Sequence, residues 1–291
     1  MILYMIPSSV KETLEILASY EGKARIIAGG TDLAIDLRKG RKSADVLVDI
    51  TRIAQLTQVK VEGDFVEVGA AVTFSDIKKH KFLQNEFPML TLAAASVGAT
   101  GIQTRATWVG NLVNGMPAAD GAIAALALEA EIKVVSLEGE TWLPVENFFI
   151  RPGESKIDST SQLATHLRFQ IPQKTWGAGW QRIGRRTNLT LPILNCAVKL
   201  EFLEDLIQSA IIALGPVGST PYRAHTAERY LINKPPTDEI IAEAGMFVQK
   251  EALPRSNPLR ASREYRLEII PIIVQRALIQ ARQQAIENHL K

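Results

Sequence analysis

The sequence predicts an α+β fold divided into two domains, and three observations lead to this prediction. Its 291 residues exceed the roughly 200 that a single hydrophobic core usually organises. Apolar residues alternate, as is typical of strands, between segments of helical periodicity up to about residue 175. Beyond that point strand-like segments precede two long helical segments, so helices collect at the end of the chain. We therefore expect one domain over residues 1–175 and a smaller α+β domain over residues 176–291.

The first 55 residues or so alternate strands with helices. Ser9 followed by Glu12 is typical of a capping box at the start of a helix, and Val10, Leu14 and Leu17 then repeat at helical spacing. A short apolar run, a glycine-rich turn and a further helical segment follow. The elements expected after the first helix are a strand at 24–28, a turn at 29–32, a helix at 33–40 and a strand at 45–50.

The pattern changes after this first lobe. Alternating residues around Gly63-Asp64 and again around Glu138-Gly139 predict two hairpins, over residues 58–72 and 132–145. Between them, residues 87–97 are rich in Leu and Ala and predict a buried helix. Residues 105–120 fit neither helix nor strand well, since Gly and Asn interrupt their apolar residues. These segments predict a second lobe over about residues 56–175.

The remaining segments predict a sheet packed on helices. Residues 188–202 and 209–214 have the composition of strands, whereas residues 237–251 and the segment from Ser262 onward have that of helices. Pro271 is expected to kink the last helix or to mark its first turn, because proline lacks a backbone N–H.

The overall composition excludes several functional classes. Lys+Arg 33 against Asp+Glu 31 gives a net charge of +2, too small for a nucleic-acid-binding surface. The single cysteine, Cys196, leaves neither an internal disulfide nor a cluster held by four thiolates. No segment is long and apolar enough to span a membrane, and the N-terminus lacks signal-peptide features, which favours a cytoplasmic location. The histidines lack metal-ligand spacing, so no metal site is expected; they are His80, His166, His225 and His289.

Two glycine-rich turns are the candidate binding segments. In the first, residues 28–32, consecutive glycines allow the backbone to approach a ligand and its N–H groups to surround a pyrophosphate. In the second, small residues leave room for a flat ligand, while Thr107, Asn111 and Asp120 offer hydrogen bonds. If each segment is taken alone, a tight strand-to-helix turn and a packed loop are the better explanations of the two segments.

Motifs for other chemistries are missing from the sequence. There is no Walker A segment, and Gly177-Ala178-Gly179 is not completed as a dinucleotide-binding motif because Arg182 stands at the third glycine position. No nucleophile elbow, Ser/His/Asp set or carboxylate pair is found, so no catalytic residue is expected. The residues alone therefore predict a two-domain protein with two turns suited to phosphate.

Six segments in the same order resemble the FAD subunits of molybdenum hydroxylases, a family that includes the medium subunit of carbon monoxide dehydrogenase and the flavin domain of xanthine dehydrogenase. The first two are the glycine-rich turns, and the resemblance extends over nearly the whole chain. The six segments are AGGTDL at 28–33, RATWVGNLVNGMPAAD at 105–120, VENFF at 145–149, QRIGRR at 181–186, AIIALGPVGSTPYRA at 210–224 and YRLEIIPIIVQRAL at 265–278.

The resemblance implies an FAD-binding domain of the vanillyl-alcohol oxidase type with two lobes, about residues 1–55 and 56–175, before the C-terminal domain. Residues implied to surround the FAD diphosphate are Ile27, Ala28, Gly29, Gly30, Thr31 and Asp32. Residues implied to line the other side of the cofactor are Ala106, Thr107, Gly110, Asn111, Val113, Ala119 and Asp120. Residues implied to approach the isoalloxazine end are Leu163 and Gln181, the latter on a strand at 176–183.

The resemblance also implies partners and a division of chemistry among them. A large subunit would carry the molybdenum cofactor and a small subunit the iron–sulfur clusters, in a dimer of heterotrimers. FAD on this chain would pass electrons to an external acceptor, with no side chain acting as an acid or base. Two alternatives stay open: a self-sufficient FAD oxidoreductase on the same fold, and an assembly subunit that has lost its flavin.

Two departures from the family pattern concern the second turn and a loop near the flavin. The usual Thr-Ile-Gly-Gly is Thr107-Trp108-Val109-Gly110 here, and a positive φ at Val109 would be strained. We expect an altered loop that still binds FAD. Residues 150–155 contain fewer Gly and Lys residues than the family's stretch, which leaves the electron acceptor undetermined.

Overall fold

The computed structural model describes residues 2–173, 175–186 and 189–289. Within these ranges, helices are mixed with four sheets of three, five, four and two strands, which confirms the predicted α+β class. Two clusters of buried apolar side chains form its cores. No helix in the described ranges has the length and apolarity needed to cross a membrane.

A three-stranded parallel sheet forms the first lobe, with the strand order β1-β3-β2. Its elements are β1 (Leu3–Met5), α1 (Val10–Ser19), β2 (Ala24–Ile27), α2 (Leu33–Arg38) and β3 (Val46–Asp49). Every predicted element is present, and β1 was not predicted. The capping box is only half formed, because Ser9 Oγ accepts from the Glu12 N–H at 3.1 Å whereas the Glu12 carboxylate accepts from the Ser8 N–H at 2.7 Å.

The second lobe contains a five-stranded antiparallel sheet and six short helices. The elements before the second hairpin are β4 (Val59–Glu62), β5 (Phe65–Gly69), α3 (Phe74–Lys79), α4 (Lys81–Glu86), α5 (Pro88–Ser96), α6 (Thr100–Gln103), α7 (Trp108–Val113) and α8 (Asp120–Ala127). The remaining strands are β6 (Glu131–Ser136), β7 (Gly139–Pro144), β8 (Phe149–Arg151), β9 (Glu154–Ser155) and β10 (Leu163–Gln170). Both predicted hairpins and the buried helix α5 are confirmed.

The central strand of this sheet, β10, was not predicted. The strand order is β4-β5-β10-β6-β7, so β10 joins the two predicted hairpins into one sheet. Its pairing with β6 shifts between Ala164 and His166, as at a β-bulge. Because Leu163 and Ala164 precede the shift, they form the end of the strand nearest the candidate site.

The C-terminal part is an antiparallel sheet, β11-β12-β13-β14, covered by helices. Its elements are β11 (Trp176–Ile183), β12 (Leu194–Leu203), β13 (Leu206–Gly215), β14 (Tyr222–Arg223), α9 (His225–Leu231), α10 (Asp238–Glu251) and α11 (Arg263–His289). The strand predicted from residue 188 begins at Leu194, and Asn188 itself lies outside the described residues. One face of the sheet contributes Trp176, Ala178 and Trp180 to the first core, while the other packs against α11 in the second core.

The glycines of the Gly177-Ala178-Gly179 segment serve helix packing. A Cβ on Gly177 would lie 1.9 Å from the Ala281 carbonyl oxygen, and one on Gly179 would lie 2.0 Å from that of Ala277. The backbone of α11 therefore passes directly over β11. The N–H groups of Ala178 and Trp180, on the free edge of the sheet, donate to side-chain oxygens of α11 at 2.8 and 3.0 Å.

Pro271 lies inside α11, so the prediction that it marks the first turn is wrong. Proline provides no N–H for the carbonyl of Leu267, four residues earlier. That carbonyl instead accepts a hydrogen bond from the Gln249 side chain of α10 at 2.9 Å. Tertiary contact thus satisfies the group that proline leaves unpaired within the helix.

Candidate functional site: a cleft between two glycine-rich turns

A cleft with an empty volume of about 980 Å³, counting the part open to solvent, lies between the two lobes. Both glycine-rich turns line it, together with the first residues of β10. The predicted binding residues on its walls are Ile27, Ala28, Gly29, Gly30, Thr31, Asp32, Ala106, Thr107, Gly110, Asn111, Val113 and Leu163. Segments that are far apart in the sequence therefore form one continuous surface.

Gly29 brings the two turns into direct contact. A Cβ at this position would lie 2.1 Å from the Arg105 carbonyl oxygen and 2.8 Å from the Ala106 Cα. Any side chain would force the backbones apart. The next residue, Gly30, has φ of +68°, a conformation that favours glycine. The glycine pair is thus required both for close approach and for the direction of the turn.

The second turn is a capped helix start rather than a loop. The Thr107 hydroxyl accepts from the Gly110 N–H at 3.2 Å, which caps α7. Val109 lies in the first turn of this helix and has no positive φ. The backbone strain that a positive φ would cause at this β-branched residue is therefore absent. Trp108 is fully buried, and its indole N–H donates to the Gly121 carbonyl at 2.8 Å. The departure from the family pattern is therefore accommodated by a core side chain that anchors α7 to α8.

Asn111 and several small residues line the cleft beside the second turn. The side-chain oxygen of Asn111 is buried and has no hydrogen-bond partner among the described residues. This oxygen lies 2.5 Å from the Cβ position of Gly121, so it packs against α8 and is not presented to the cleft. Small residues beside it leave room for close backbone approach. These features fit the diphosphate and sugar portions of a dinucleotide such as FAD.

Sequence reasoning missed several residues of the cleft, among them two cations. Arg25 and Lys42 lie on its wall near the first turn. The Arg25 guanidinium donates to the Ala24 carbonyl at 2.8 Å, and the Lys42 ammonium lies 3.9 Å from the Asp36 carboxylate. Burial raises the pKa of Asp32 on the same wall. No motif marks these cations, because they reach the cleft from a strand and a loop outside the glycine-rich turn.

Three predicted residues lie outside the lining of this cleft: Ala119, Asp120 and Gln181. Asp120 accepts from Arg182 Nε at 3.2 Å and from Asn195 Nδ2 at 2.7 Å. Burial raises the pKa of Asp120 to about 6, against the opposing effect of these two donors. The strand predicted at 176–183 is confirmed, but the Gln181 amide donates to Gln280 on α11 at 3.0 Å. The role of these residues toward a cofactor stays a prediction.

Comparison with known protein families identifies the class to which this fold and cleft belong. Residues 1–173 match the FAD binding domain in molybdopterin dehydrogenase, and residues 181–281 match the CO dehydrogenase flavoprotein C-terminal domain. The chain therefore belongs to the family of FAD-binding flavoproteins of the molybdopterin dehydrogenases. Its relatives are flavoprotein subunits of dehydrogenases, such as xanthine dehydrogenase and carbon monoxide dehydrogenase.

Individual relatives match along nearly their whole length. The chain is 29% identical over 290 residues to the caffeine dehydrogenase subunit beta of Pseudomonas sp. (strain CBB1), covering 99% of this chain and 97% of that one. It is 27% identical over 279 residues to the xanthine dehydrogenase FAD-binding subunit of Escherichia coli O157:H7, covering 96% and 95%. A solved structure of carbon monoxide dehydrogenase from Hydrogenophaga pseudoflava matches with a TM-score of 0.92 at 25% identity, covering 97% and 98%. The predicted family and cofactor are confirmed.

Proposed function

We propose that the cleft between the two turns holds FAD and that this chain relays electrons from a partner subunit to an external acceptor. The observation that carries the proposal is the contact of Gly29 with the Arg105–Ala106 backbone, which forms a single binding surface from both family motifs. The proposal includes an FAD-binding domain over residues 1–175 and a C-terminal domain over residues 176–291. Matches of the two family models to 1–173 and 181–281 support this division.

The residues of this chain bind and orient the cofactor, while bound FAD supplies the redox chemistry. Backbone N–H groups of residues 29–32, with Arg25 and Lys42, offer positive charge to a diphosphate. Asn111 and Thr107 line the opposite wall. The apolar side chains of Ile27, Val113 and Leu163 limit access of water. Asp120, Ala119 and Gln181 complete the proposed set from the side of the C-terminal sheet.

The partners that we propose are a large subunit with the molybdenum cofactor and a small subunit with iron–sulfur clusters, in a dimer of heterotrimers. Several relatives are named as one subunit of a larger enzyme, such as the nicotine 6-hydroxylase medium subunit of Paenarthrobacter nicotinovorans. The proposal is supported by the single cysteine of this chain, which cannot supply the four thiolates that such a cluster needs. The buried position of Cys196 makes it unsuitable as a ligand to an exposed centre.

Anaerobic reduction of the assembled enzyme tests the relay. After substrate is added without acceptor, we expect the iron–sulfur and flavin absorbance bands to bleach in succession. Acceptor should then reoxidise the flavin. An enzyme that contains Gly29→Val should reduce its iron–sulfur centres normally and lose acceptor reduction. Equal acceptor reduction by the flavin-free variant would contradict the relay, and substrate turnover by the isolated chain would instead support a self-sufficient oxidoreductase.

A further inference from the structure

A short segment without helix or strand, residues 157–162, forms part of the cleft wall. It lies between β9 and β10, and Ile157 and Ser159 line the cleft shortly before Leu163 and Ala164 of β10. In the described part of the chain, the backbone N–H groups of Ile157 and Ser159 donate to no other protein group. They are therefore free to bind solvent or a ligand. We call this segment, residues 157–162, the strap.

The strap forms a compact turn around one carboxylate. Asp158 accepts from the Thr160 N–H at 3.0 Å, from the Thr160 hydroxyl at 2.6 Å and from the Ser161 hydroxyl at 2.8 Å. The Asp158 N–H donates to the side-chain oxygen of Gln162 at 3.0 Å, while the Gln162 N–H donates to the Asp158 carbonyl at 2.8 Å. Aspartate side chains commonly organise turns in this way. Because these bonds are internal, the strap can keep its shape while its position changes.

Few contacts tie the strap to the rest of the protein. Within the described ranges, no hydrogen bond or ion pair joins the strap to another segment, and the nearest anchor is the Lys156 N–H, which donates to the Phe148 carbonyl at 2.8 Å. Ile157 is the only apolar side chain of the strap, and it packs partly buried against the first core. Segments with so few buried apolar contacts and external hydrogen bonds open at a low cost in free energy. The strap can therefore move as a unit between β9 and β10.

Opposite charges attract the strap towards the first lobe. Arg25 lines the cleft from β2, and Asp158 lies between the two strap residues that line the same cleft. Hydrogen bonds from Thr160 hold the pKa of Asp158 below its ordinary value, and the positive charge of Arg25 acts in the same direction. No ion pair between Asp158 and Arg25 is formed in the described structure, so their attraction acts without direct contact and is weakened by solvent and salt. It favours a closed position of the strap without fixing it there.

We propose that the strap is the gate of the cleft: it swings away from the first lobe to admit FAD and closes over the bound cofactor. The proposal rests on the proposed function, because it takes FAD as the occupant. Ligand clefts enclose most of the ligand surface, so a long dinucleotide requires a movable wall for entry and release. The other walls are fixed, the first turn by the backbone contact of Gly29 and α7 by the buried Trp108. The strap is the part of the wall that can open.

Stopped-flow mixing of the flavin-free full chain with FAD tests the gate. Quenching of flavin fluorescence reports binding. The observed rate constant should level off as the FAD concentration rises, because opening of the strap then limits binding. A rate constant that rises in proportion to the FAD concentration, with no plateau, would overturn the gate, since the cleft would then be open to FAD at all times.

Variants of Asp158 separate a moving gate from a fixed wall. Asp158→Ala removes both the internal turn and the attraction to Arg25, so the plateau rate constant and the rate constant of FAD release should each rise by about tenfold. Asp158→Asn keeps an oxygen for Thr160 but loses the charge, and should raise both by about threefold. Asp64→Ala is the matched control, because Asp64 is an exposed turn carboxylate that accepts from Gln173 and lies outside the cleft. Its rate constants should equal those of wild type.

The pattern of rate constants and the flavin content together decide the outcome. Faster release from Asp158→Ala with unchanged association would show that the strap is a fixed wall that contacts FAD, and would overturn the gate. Wild-type rate constants in both Asp158 variants, beside a wild-type chain that binds FAD, would overturn the gate alone. A wild-type chain that binds no FAD, even in the assembled enzyme, would overturn the proposed function as well.

Discussion

Replacing Gly29 by Ala tests the contact on which the cleft depends. The new Cβ would lie 2.1 Å from the Arg105 carbonyl oxygen and 2.7 Å from its carbon, where ordinary contact begins at 3.4 Å. Both neighbouring groups are backbone, so no side chain can rotate away. The two glycine-rich turns must therefore separate by more than 1 Å.

This displacement should weaken flavin binding without unfolding the whole chain. A shift of about 1 Å in a ligand-binding geometry can cost on the order of 100-fold, and we expect the Kd for FAD to rise by about that factor. Overpacking should also lower the free energy of unfolding by about 1–3 kcal/mol. The C-terminal core contains no residue of this region, so it should stay folded. Gly29→Val, with two further methyl groups, should bind no FAD.

Titration of flavin-free protein with FAD, followed by quenching of flavin fluorescence, measures the effect. Gly101→Ala is the matched control, because Gly101 has an ordinary φ and open space around its Cβ position. Its Kd should equal that of wild type. The reasoning is refuted if Gly29→Ala binds FAD as tightly as the Gly101→Ala control.

Three further predictions concern a titrating group and two packing contacts. The Asp120 carboxyl has its pKa raised from 3.8 to about 6 in the folded protein, so the folded state holds a proton that the unfolded chain releases. As the pH rises from about 4 to about 6, wild-type stability should therefore fall by about 2 kcal/mol relative to Asp120→Asn, and free energies of urea unfolding that change equally with pH in the two proteins would count against this. Gln249→Leu leaves the Leu267 carbonyl without its donor and should lower the free energy of unfolding by about 1 kcal/mol, whereas an unchanged value would mean that the bond contributes nothing. Gly177→Ala places a Cβ 1.9 Å from the Ala281 carbonyl oxygen and should destabilise the fold by about 1–3 kcal/mol in thermal unfolding; wild-type stability would show that α11 can shift freely.

The predicted hairpins and long helices were found because their stabilisation is local. Alternation around Gly63 and Gly139 matches the pleat of β4–β5 and β6–β7, and both turns use positive φ at glycine. Strand β10 was not predicted, because polar residues and a β-bulge next to Thr165 interrupt the regular alternation of a strand. Its place at the centre of the sheet follows from pairing with distant strands.

The candidate site was only partly predictable, because some of its residues are positioned by local turns and others by contacts between distant segments. Gly29 allows close approach of the Arg105 backbone and Gly30 adopts a positive φ. Both requirements favour glycine, so they are visible in the sequence. By contrast, Arg25 reaches the cleft from β2 without any motif. The Asp120 carboxylate turns to Arg182 and Asn195, partners from β11 and β12 that only the folded chain brings near. The partners of such side chains depend on contacts between distant strands, which the spacing of residues in the sequence does not reveal.

The flavin content of the purified chain tests the central claim most directly. The chain is isolated with its partner subunits under mild conditions and denatured, and the released cofactor is identified and quantified by chromatography. The account predicts a single FAD per chain, lost in Gly29→Val. An assembled, active enzyme in which this chain carries no flavin, even after incubation with excess FAD, would contradict the account.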